Sequence, residues 1–353
     1  MIRAQVVGAT GYGGVGIVEL LLRHPEVEIT SLMGKQDVGQ PLSSYFPHLQ
    51  GFCDRVVEES DPERIGEGVD VVICSTPDRV GMQYAKRVLE RGAALIDFSG
   101  DFRFRDPQVY AAYARFHPKT AGLPHAAPDL LAQATYGLPE LFREQIREAR
   151  LVGNPGCFAV AAILGLAPVV KEHLVELSSI VCDGKTGISG AGKKPSALHH
   201  FPERNENVAA YRIAQHQHSV EMEEVLSLLA GERVSLTFVP HLIPVTRGII
   251  CTIYATLRQQ VKIETLQDLY TRFYAGSPFV RMRPPGSCAG LKSVIGSNFC
   301  DISLTVDDRN GRLVIVSWID NLVKGQAGSA LQNLNVMFGF PEEMGLDRPG
   351  FYP

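Results

Sequence analysis

The sequence predicts an α/β protein in which a Rossmann-type doubly wound parallel sheet is joined to an α+β substrate domain with a mostly antiparallel sheet. Three observations carry this expectation. The first third of the chain alternates strand-like and helix-like segments. A glycine-rich turn, Gly8 to Gly14, sits between the first strand and the first helix. Beyond residue 170, strand-like runs follow one another with few helices between them.

The elements follow in order. Ile2–Val7 is a short apolar run that reads as a strand, Gly14–Arg23 as a helix, and Val27–Leu32 as a second strand. Val69–Cys74 is continuously apolar and β-branched, as expected of a strand covered on both faces. A helix is expected over Arg79–Arg91 and a strand over Ala93–Asp97, while 103–150, richer in Pro, Tyr and charge, reads as an excursion around that sheet. Phe158–Val170 is a long apolar helical run. Strand candidates then fall at Ser179–Cys182, Val234–Val239, Gly248–Leu257, Phe279–Met282, Asn298–Val306 and Leu313–Ile319. The last helix, Asn321 to about Phe338, reads as amphipathic and able to return to the first domain. With 353 residues, two domains are expected: 1–154 with 321–353 for a dinucleotide, and 155–320 for catalysis, substrate and oligomerisation.

Charge and composition exclude several classes. A net charge of −4 argues against nucleic acid or a membrane surface as the main partner. No apolar run reaches the ~20 residues of a membrane span, and the N-terminus lacks the basic-then-apolar pattern of a signal peptide. Seven cysteines are an odd number with no close-set pairs, which fits a reducing cytoplasm. Cys74, Cys182, Cys251 and Cys300 fall in strand-like runs and read as inert core; Cys53 and Cys288 fall in loop-like sequence. No Cys/His spacing matches a zinc site, so no metal is expected.

The turn at 8–14 places Gly8, Gly11 and Gly14 in a G-x-x-G-x-x-G variant of the dinucleotide fingerprint, against the alternative of a purely structural turn. The glycines permit a tight turn, close approach of a pyrophosphate, and close packing of helix on strand. NAD binders carry an acidic residue at the end of the second strand; here the segment Thr30–Gln36 has none. Ser31 and Lys35 could accept a 2′-phosphate instead, which favours NADP, with a solvated loop lysine as the alternative for Lys35.

Cys157, in Asn154-Pro155-Gly156-Cys157, stands at the head of the apolar helix. A helix N-terminus offers unpaired N–H groups and partial positive charge, both of which favour a thiolate. A nucleophile and a buried packing residue are both compatible with that tetrapeptide alone. A thiolate beside a nicotinamide points to thioester chemistry with a histidine as acid–base. His218 is the first choice and His216 the second; on an extended segment the two would face opposite ways. A loop at 185–193, with Lys185 and the glycines that follow, resembles a phosphate cradle but lacks P-loop order. Arg103 and Arg247 are further anion-binding candidates, each with a surface ion pair as its alternative.

These segments together resemble the N-acetyl-γ-glutamyl-phosphate reductase family, related to aspartate-semialdehyde dehydrogenase, nearly from end to end. The landmarks are GATGYGG at 8–14, FPHL at 46–49, IDFSGDFR at 96–103, YGLPEL at 136–141, NPGCFAVAA at 154–162, KTGISGAGKK at 185–194, HQHSVEM at 216–222, VIGSNFCDI at 294–302 and DNLVKGQAGSALQNLN at 320–335. The resemblance implies NADPH-dependent reduction of N-acetyl-glutamyl 5-phosphate to the 5-semialdehyde, with Cys157 forming a thioester. It implies substrate contacts from Asn154, Arg103, Lys185 and Arg247. It implies NADP(H) contacts from Gly8, Thr10, Gly11, Tyr12, Gly13, Gly14, Ser31, Lys35, Ser75, Pro77, Ser99, Gly187, Ser189, Gly190 and Asn321, and a homodimer or homotetramer. Ser75–Arg79, Gly100, Phe158, Gln217 and Ser219-Val220 depart from the family's usual residues. The competing expectations are the related aminoadipyl-phosphate reductase, aspartate-semialdehyde dehydrogenase, and a non-catalytic NADP-binding sensor.

Overall fold

The structure, a computed structural model, describes residues 1–117, 120–287 and 289–352; Cys288 therefore lies outside the described residues. The chain forms two compact units, one of Met1–Pro155 with Gln326–Asp347, the other of Gly156–Gly325 with the segment from Arg348 on.

In the first unit, β1 (Ile2–Val7), α1 (Tyr12–Leu21), β2 (Val27–Gly34), β3 (Val57–Glu59), β4 (Val71–Cys74), α2 (Gly81–Glu90), β5 (Ala94–Asp97), α3 (Pro107–Arg115), β6 (Thr135–Tyr136), α4 (Pro139–Glu148) and β7 (Leu151–Gly153) follow one another. Among the described residues the strands form one parallel sheet in the order β3-β2-β1-β4-β5-β7-β6. The order reverses direction at β1/β4, the position where doubly wound sheets bind ligands at their strand ends. Every residue of β4 and β5 is buried, as expected of strands covered on both faces.

In the second unit, α5 (Cys157–Lys171) is followed by β8 (Ile180–Thr186), β9 (Ala209–Ala210), α6 (His218–Ala230), β10 (Leu236–Leu242), β11 (Ile249–Thr256), α7 (Ile263–Phe273), β12 (Val280–Met282), β13 (Cys300–Asp307) and β14 (Arg312–Ile319). The sheet order is β12-β13-β14-β11-β8-β10-β9, antiparallel except for the β8/β10 and β12/β13 pairs. Helix α5 lies buried over β11 and β14. Pro168 within it has no N–H, so the carbonyl four residues earlier loses its helical donor. The Tyr274 hydroxyl donates to that Leu164 carbonyl, and Tyr270 donates to Gly165. Strand β8 alternates strictly: Ile180, Cys182, Gly184 and Thr186 are buried, whereas Val181, Asp183 and Lys185 are half-exposed. A Cβ on Gly184 would lie 2.6 Å from the Phe158 ring, so the buried face is the one toward α5.

The closing helix α8 (Gly328–Phe338) follows a π-helical turn over Val323–Ala327 and corrects the expectation of an amphipathic helix beginning at Asn321. Its polar residues are buried and hydrogen-bonded within the first unit. Gln332 donates to Glu140 and Glu342, Asn333 to the Gly137 carbonyl, and Asn335 to the Glu342 and Met344 carbonyls. Periodicity alone reads such residues as a solvent face; their partners come from elsewhere in the chain. The tail also departs from the expected division. The Phe351 N–H donates to the Ile295 carbonyl, and the Phe351 ring covers Gly296, so the tail packs in the second unit. Among the described residues no helix is long and apolar enough to cross a membrane.

Candidate active site

In the first unit, the turn after β1 has the form a dinucleotide phosphate needs. Gly8 has φ +85°, and a Cβ there would lie 2.2 Å from the Ser75 carbonyl oxygen, so only glycine fits. A Cβ on Gly14 would lie 2.1 Å from the Gly8 oxygen, and one on Gly13 would lie 2.6 Å from Ser75 Oγ. Gly11, by contrast, would meet only the Gly8 oxygen, at 3.6 Å, and it forms an extended N-cap of α1 with no side-chain cap. The helix start is therefore open to an anion, flanked by Thr10 and the exposed Tyr12. Pro77 is exposed just beyond β4. Lys35 is exposed immediately after β2, where a 2′-phosphate would lie. Ser31 lies inside β2, opposite Gln5, and its hydroxyl accepts from the Gln5 amide at 3.3 Å.

The 97–103 turn of the same unit is a buried polar knot. Ser99 N–H donates to Asp97 Oδ1 at 2.7 Å, and Ser99 Oγ accepts from the Asp101 N–H, so Ser99 closes the turn. Arg103 is buried, with Nε donating to the Asn154 carbonyl at 2.8 Å and Nη2 to the Phe98 carbonyl at 2.7 Å. Asn154 is fully buried; its amide donates to the Gln326 carbonyl and its oxygen accepts from Asn333. Both residues brace backbone.

Asp97 and Asp101 are both buried, and burial pushes Asp97 up to about 6 and Asp101 up to about 8, the Asp97 charge adding to the rise at Asp101. Asp101 accepts the N–H groups of Arg79 and Met82 at the start of α2. A raised carboxyl binds its proton more tightly when folded, so its contribution to stability is full below the unfolded value of about 4 and is lost as pH rises through the folded value. Asp101→Asn keeps an acceptor for both N–H groups and removes the charge. Its melting temperature is expected to fall less than the parent's between pH 5 and 9, measured by calorimetry; parallel curves would refute the assignment.

In the second unit, Cys157 is the first residue of α5, half-buried, behind an extended Gly156 N-cap. The helix dipole meets the sulfur there. The Gly156 N–H donates to Glu221 Oε1 at 2.8 Å, so a fully buried carboxylate of α6 holds the residue before the thiol. His218 is the first residue of α6, and a Cβ on Gly156 would lie 2.4 Å from its Nε2. His216 lies on the same side. The two rings are 4.7 Å apart and both stand edge-on to Phe158. The expectation of opposite facings fails because Gln217 is helical (φ −57°, ψ −30°), so the segment is a helix entry and not extended. Burial, with His218 and Arg212 nearby, holds His216 well below its ordinary value. Its Nδ1 accepts the His218 N–H at 3.1 Å, which assigns the proton of the neutral ring to Nε2.

A third chain segment closes against the thiol. A Cβ on Gly325 would lie 2.7 Å from Cys157 Cβ. Buried Asp320 shapes that turn, accepting from the N–H groups of Leu322, Val323 and Gly296, while its carbonyl accepts from Gly325. Arg247 pairs with Asp320 at 3.2 Å and is part-exposed. Asn321 accepts the Gly248 N–H at 2.7 Å and donates to Ser189 at 3.0 Å, tying three loops together. Gly187 packs against the 246–247 backbone, whereas a Cβ on Gly190 would meet nothing closer than 3.7 Å. In β8 the alternation turns Lys185 to the face away from α5, where it pairs with Asp183 at 2.9 Å. Gly325 falls in the DNLVKG segment, whose resemblance implies a place near the nicotinamide, whereas Glu221 and Tyr211, whose ring stands edge-on to His216 at 5.7 Å, had no signal in the sequence that set them apart as site residues.

Comparison with known proteins decides the family. N-acetyl-gamma-glutamyl-phosphate reductases of Symbiobacterium thermophilum and Pelotomaculum thermopropionicum are 49% and 45% identical, over 100% of this chain and 99% of theirs. The chain belongs to the N-acetyl-gamma-glutamyl-phosphate reductase family. Residues 3–149 match the semialdehyde dehydrogenase NAD binding domain and 157–321 the semialdehyde dehydrogenase dimerisation domain. The fold is that of solved aspartate semialdehyde dehydrogenases. The enzyme of Candida albicans, solved with NADP, gives a TM-score of 0.71 at 16% identity, covering 96% of this chain and 98% of that one. The second enzyme of Vibrio cholerae gives 0.70 at 15%, with the same coverage. The glycine turn lies within the stretch matched by the NAD binding domain, and Cys157 within the stretch matched by the dimerisation domain.

Proposed function

We propose that this protein is an NADPH-dependent acyl-phosphate reductase that converts N-acetyl-L-glutamyl 5-phosphate to N-acetyl-L-glutamate 5-semialdehyde and phosphate. The observation that carries the reading is Cys157 at the start of α5 with the His218 ring packed against the residue before it. Full-length identity to reductases of that name supports the substrate.

The residues act in sequence. His218 takes the Cys157 proton, and the helix start favours the thiolate. The sulfur attacks the acyl carbon, and the C–O bond to phosphate breaks with its electron pair, leaving a thioester. His216, neutral with its proton on Nε2, donates a hydrogen bond and does not take a proton. NADPH, when bound at the Gly8–Gly14 turn, supplies hydride. The resulting hemithioacetal oxyanion re-forms C=O as its C–S bond breaks, and His218 returns its proton to the departing sulfur, restoring the Cys157 thiol. Arg247, part-exposed beside Asp320, is proposed to meet the substrate's anionic groups.

Homodimers or homotetramers in the cytoplasm complete the reading. The dimerisation-domain match supports assembly, as does the half-exposed sheet face bearing Val181, Ile250, Tyr254, Val314 and Val316. The test is phosphate-dependent reduction of NADP with N-acetylglutamate semialdehyde, run beside the aminoadipate and aspartate semialdehydes. The highest kcat/KM is expected with the N-acetylglutamate compound. A preference for either alternative would replace the substrate, and no turnover with any would leave a cofactor-binding protein.

A further inference from the structure

We propose that Tyr211 is a further catalytic residue of this site. Its phenol O–H donates to the carbonyl oxygen of the acyl phosphate held at Cys157 and stabilises that oxygen as it becomes an oxyanion. The proposal rests on the acyl-phosphate reading above.

Placement comes first. Tyr211 follows β9, and its N–H donates to the Pro240 carbonyl at 3.0 Å, while the Ala214 N–H donates to the Phe238 carbonyl at 3.1 Å. Both bonds clamp the segment to β10. The Tyr211 ring stands edge-on to His216 at 5.7 Å, and His216 stands edge-on to His218 at 4.7 Å. The row of rings leads to Gly156 and the thiol. Tyr211 is half-buried, and among the described residues its hydroxyl has no hydrogen-bond partner in the protein. That hydroxyl is not a sealed, unsatisfied group, so it remains open to a ligand.

The chemistry follows from the neighbours. Burial, and then the nearby Cys157 charge, push the phenol up from its ordinary value, with Arg212 opposing. A phenol so placed keeps its proton at neutral pH and serves as a donor, never as a base. The Gly156 N–H beside the thiol already serves Glu221. As the sulfur adds, the C=O π pair moves to oxygen, and the hydrogen bond from the Tyr211 O–H to that oxygen shortens. Collapse re-forms C=O and expels phosphate, and the proton stays on Tyr211 throughout.

Tyr211→Phe keeps the ring on His216 and removes only the hydroxyl. Loss of one oxyanion donor costs about 10²-fold in kcat, and that fall is expected with the KM for phosphate in the reverse direction unchanged. A kcat within about twofold of the parent overturns the proposal. A raised phosphate KM with kcat kept assigns the O–H to the phosphate and overturns it equally. Alkylation of Cys157 by iodoacetamide against pH needs no substrate. Its midpoint is expected to move upward in Tyr211→Phe because a donor beside the thiolate is gone, and an unmoved midpoint refutes the placement. If the parent fails to reduce the acyl phosphate while the midpoint still moves, the substrate reading fails and Tyr211 remains at the nucleophile.

Discussion

Cys157→Ser is expected to lower kcat by about 10⁴-fold or more, the scale on which loss of a covalent nucleophile is felt. The alcohol of serine stays protonated where the thiol ionises. The helix start and His218 that make a thiolate at neutral pH cannot make an alkoxide. Fold and cofactor binding should survive, because residue 157 is a half-buried first position of α5, where serine fits as well as cysteine. The Gly8–Gly14 turn belongs to the other compact unit. The comparison needs single-turnover kinetics, NADPH binding by fluorescence and a thermal melt on the same preparation. A variant within tenfold of the parent would remove the thioester from the mechanism. Lost NADPH binding would show that the substitution acted through the fold.

His218→Asn is expected to cost 10²- to 10³-fold in kcat, roughly the worth of a placed acid–base, and to remove the acidic limb of the kcat/KM profile. His216→Asn is expected to act mainly on KM. The asymmetry comes from geometry and charge. His218 lies against Gly156, whereas His216 has its Nδ1 occupied by the His218 N–H and is held neutral by burial. A base must be able to gain a proton near the working pH, and His216 is pushed away from that range. Measuring both pH profiles decides the assignment. Equal losses in both variants, or an acidic limb that survives in His218→Asn and vanishes in His216→Asn, would reverse it.

Much of the site was legible in the chain because its signals are local. Strand, turn and helix at 2–21 announce a phosphate turn through glycine spacing, and the pairing of Gly8 with the Ser75 backbone explains the spacing after the fact. Cys157 at a helix start is equally local. Ser31, Ser99, Asn154 and Lys185 share one difficulty: each is a polar residue beside a site segment, and its partners in the protein depend on what the fold brings near. Ser31 meets Gln5 across β1/β2, and Asn154 meets Asn333 from α8, 179 positions away. Lys185 is turned by strand alternation, which was readable only once the full length of β8, which runs on past Cys182 to Thr186, was known. The two histidines misled because a helix entry at Gln217 replaced an extended segment.

The sequence by itself determined the two-part α/β design, the glycine turn after the first strand, the cysteine at a helix start and the family, since hydrophobic period, glycine spacing and a helix-start residue are properties of neighbouring residues. Only the tertiary structure decided which polar groups are available for chemistry. Glu221, Asp320 and Gly325 reach the thiol's surroundings from α6 and the 320–325 turn, 64 to 168 positions beyond Cys157. A hydrogen bond or a close contact is made with whatever the fold brings near, and distance along the chain carries no record of it.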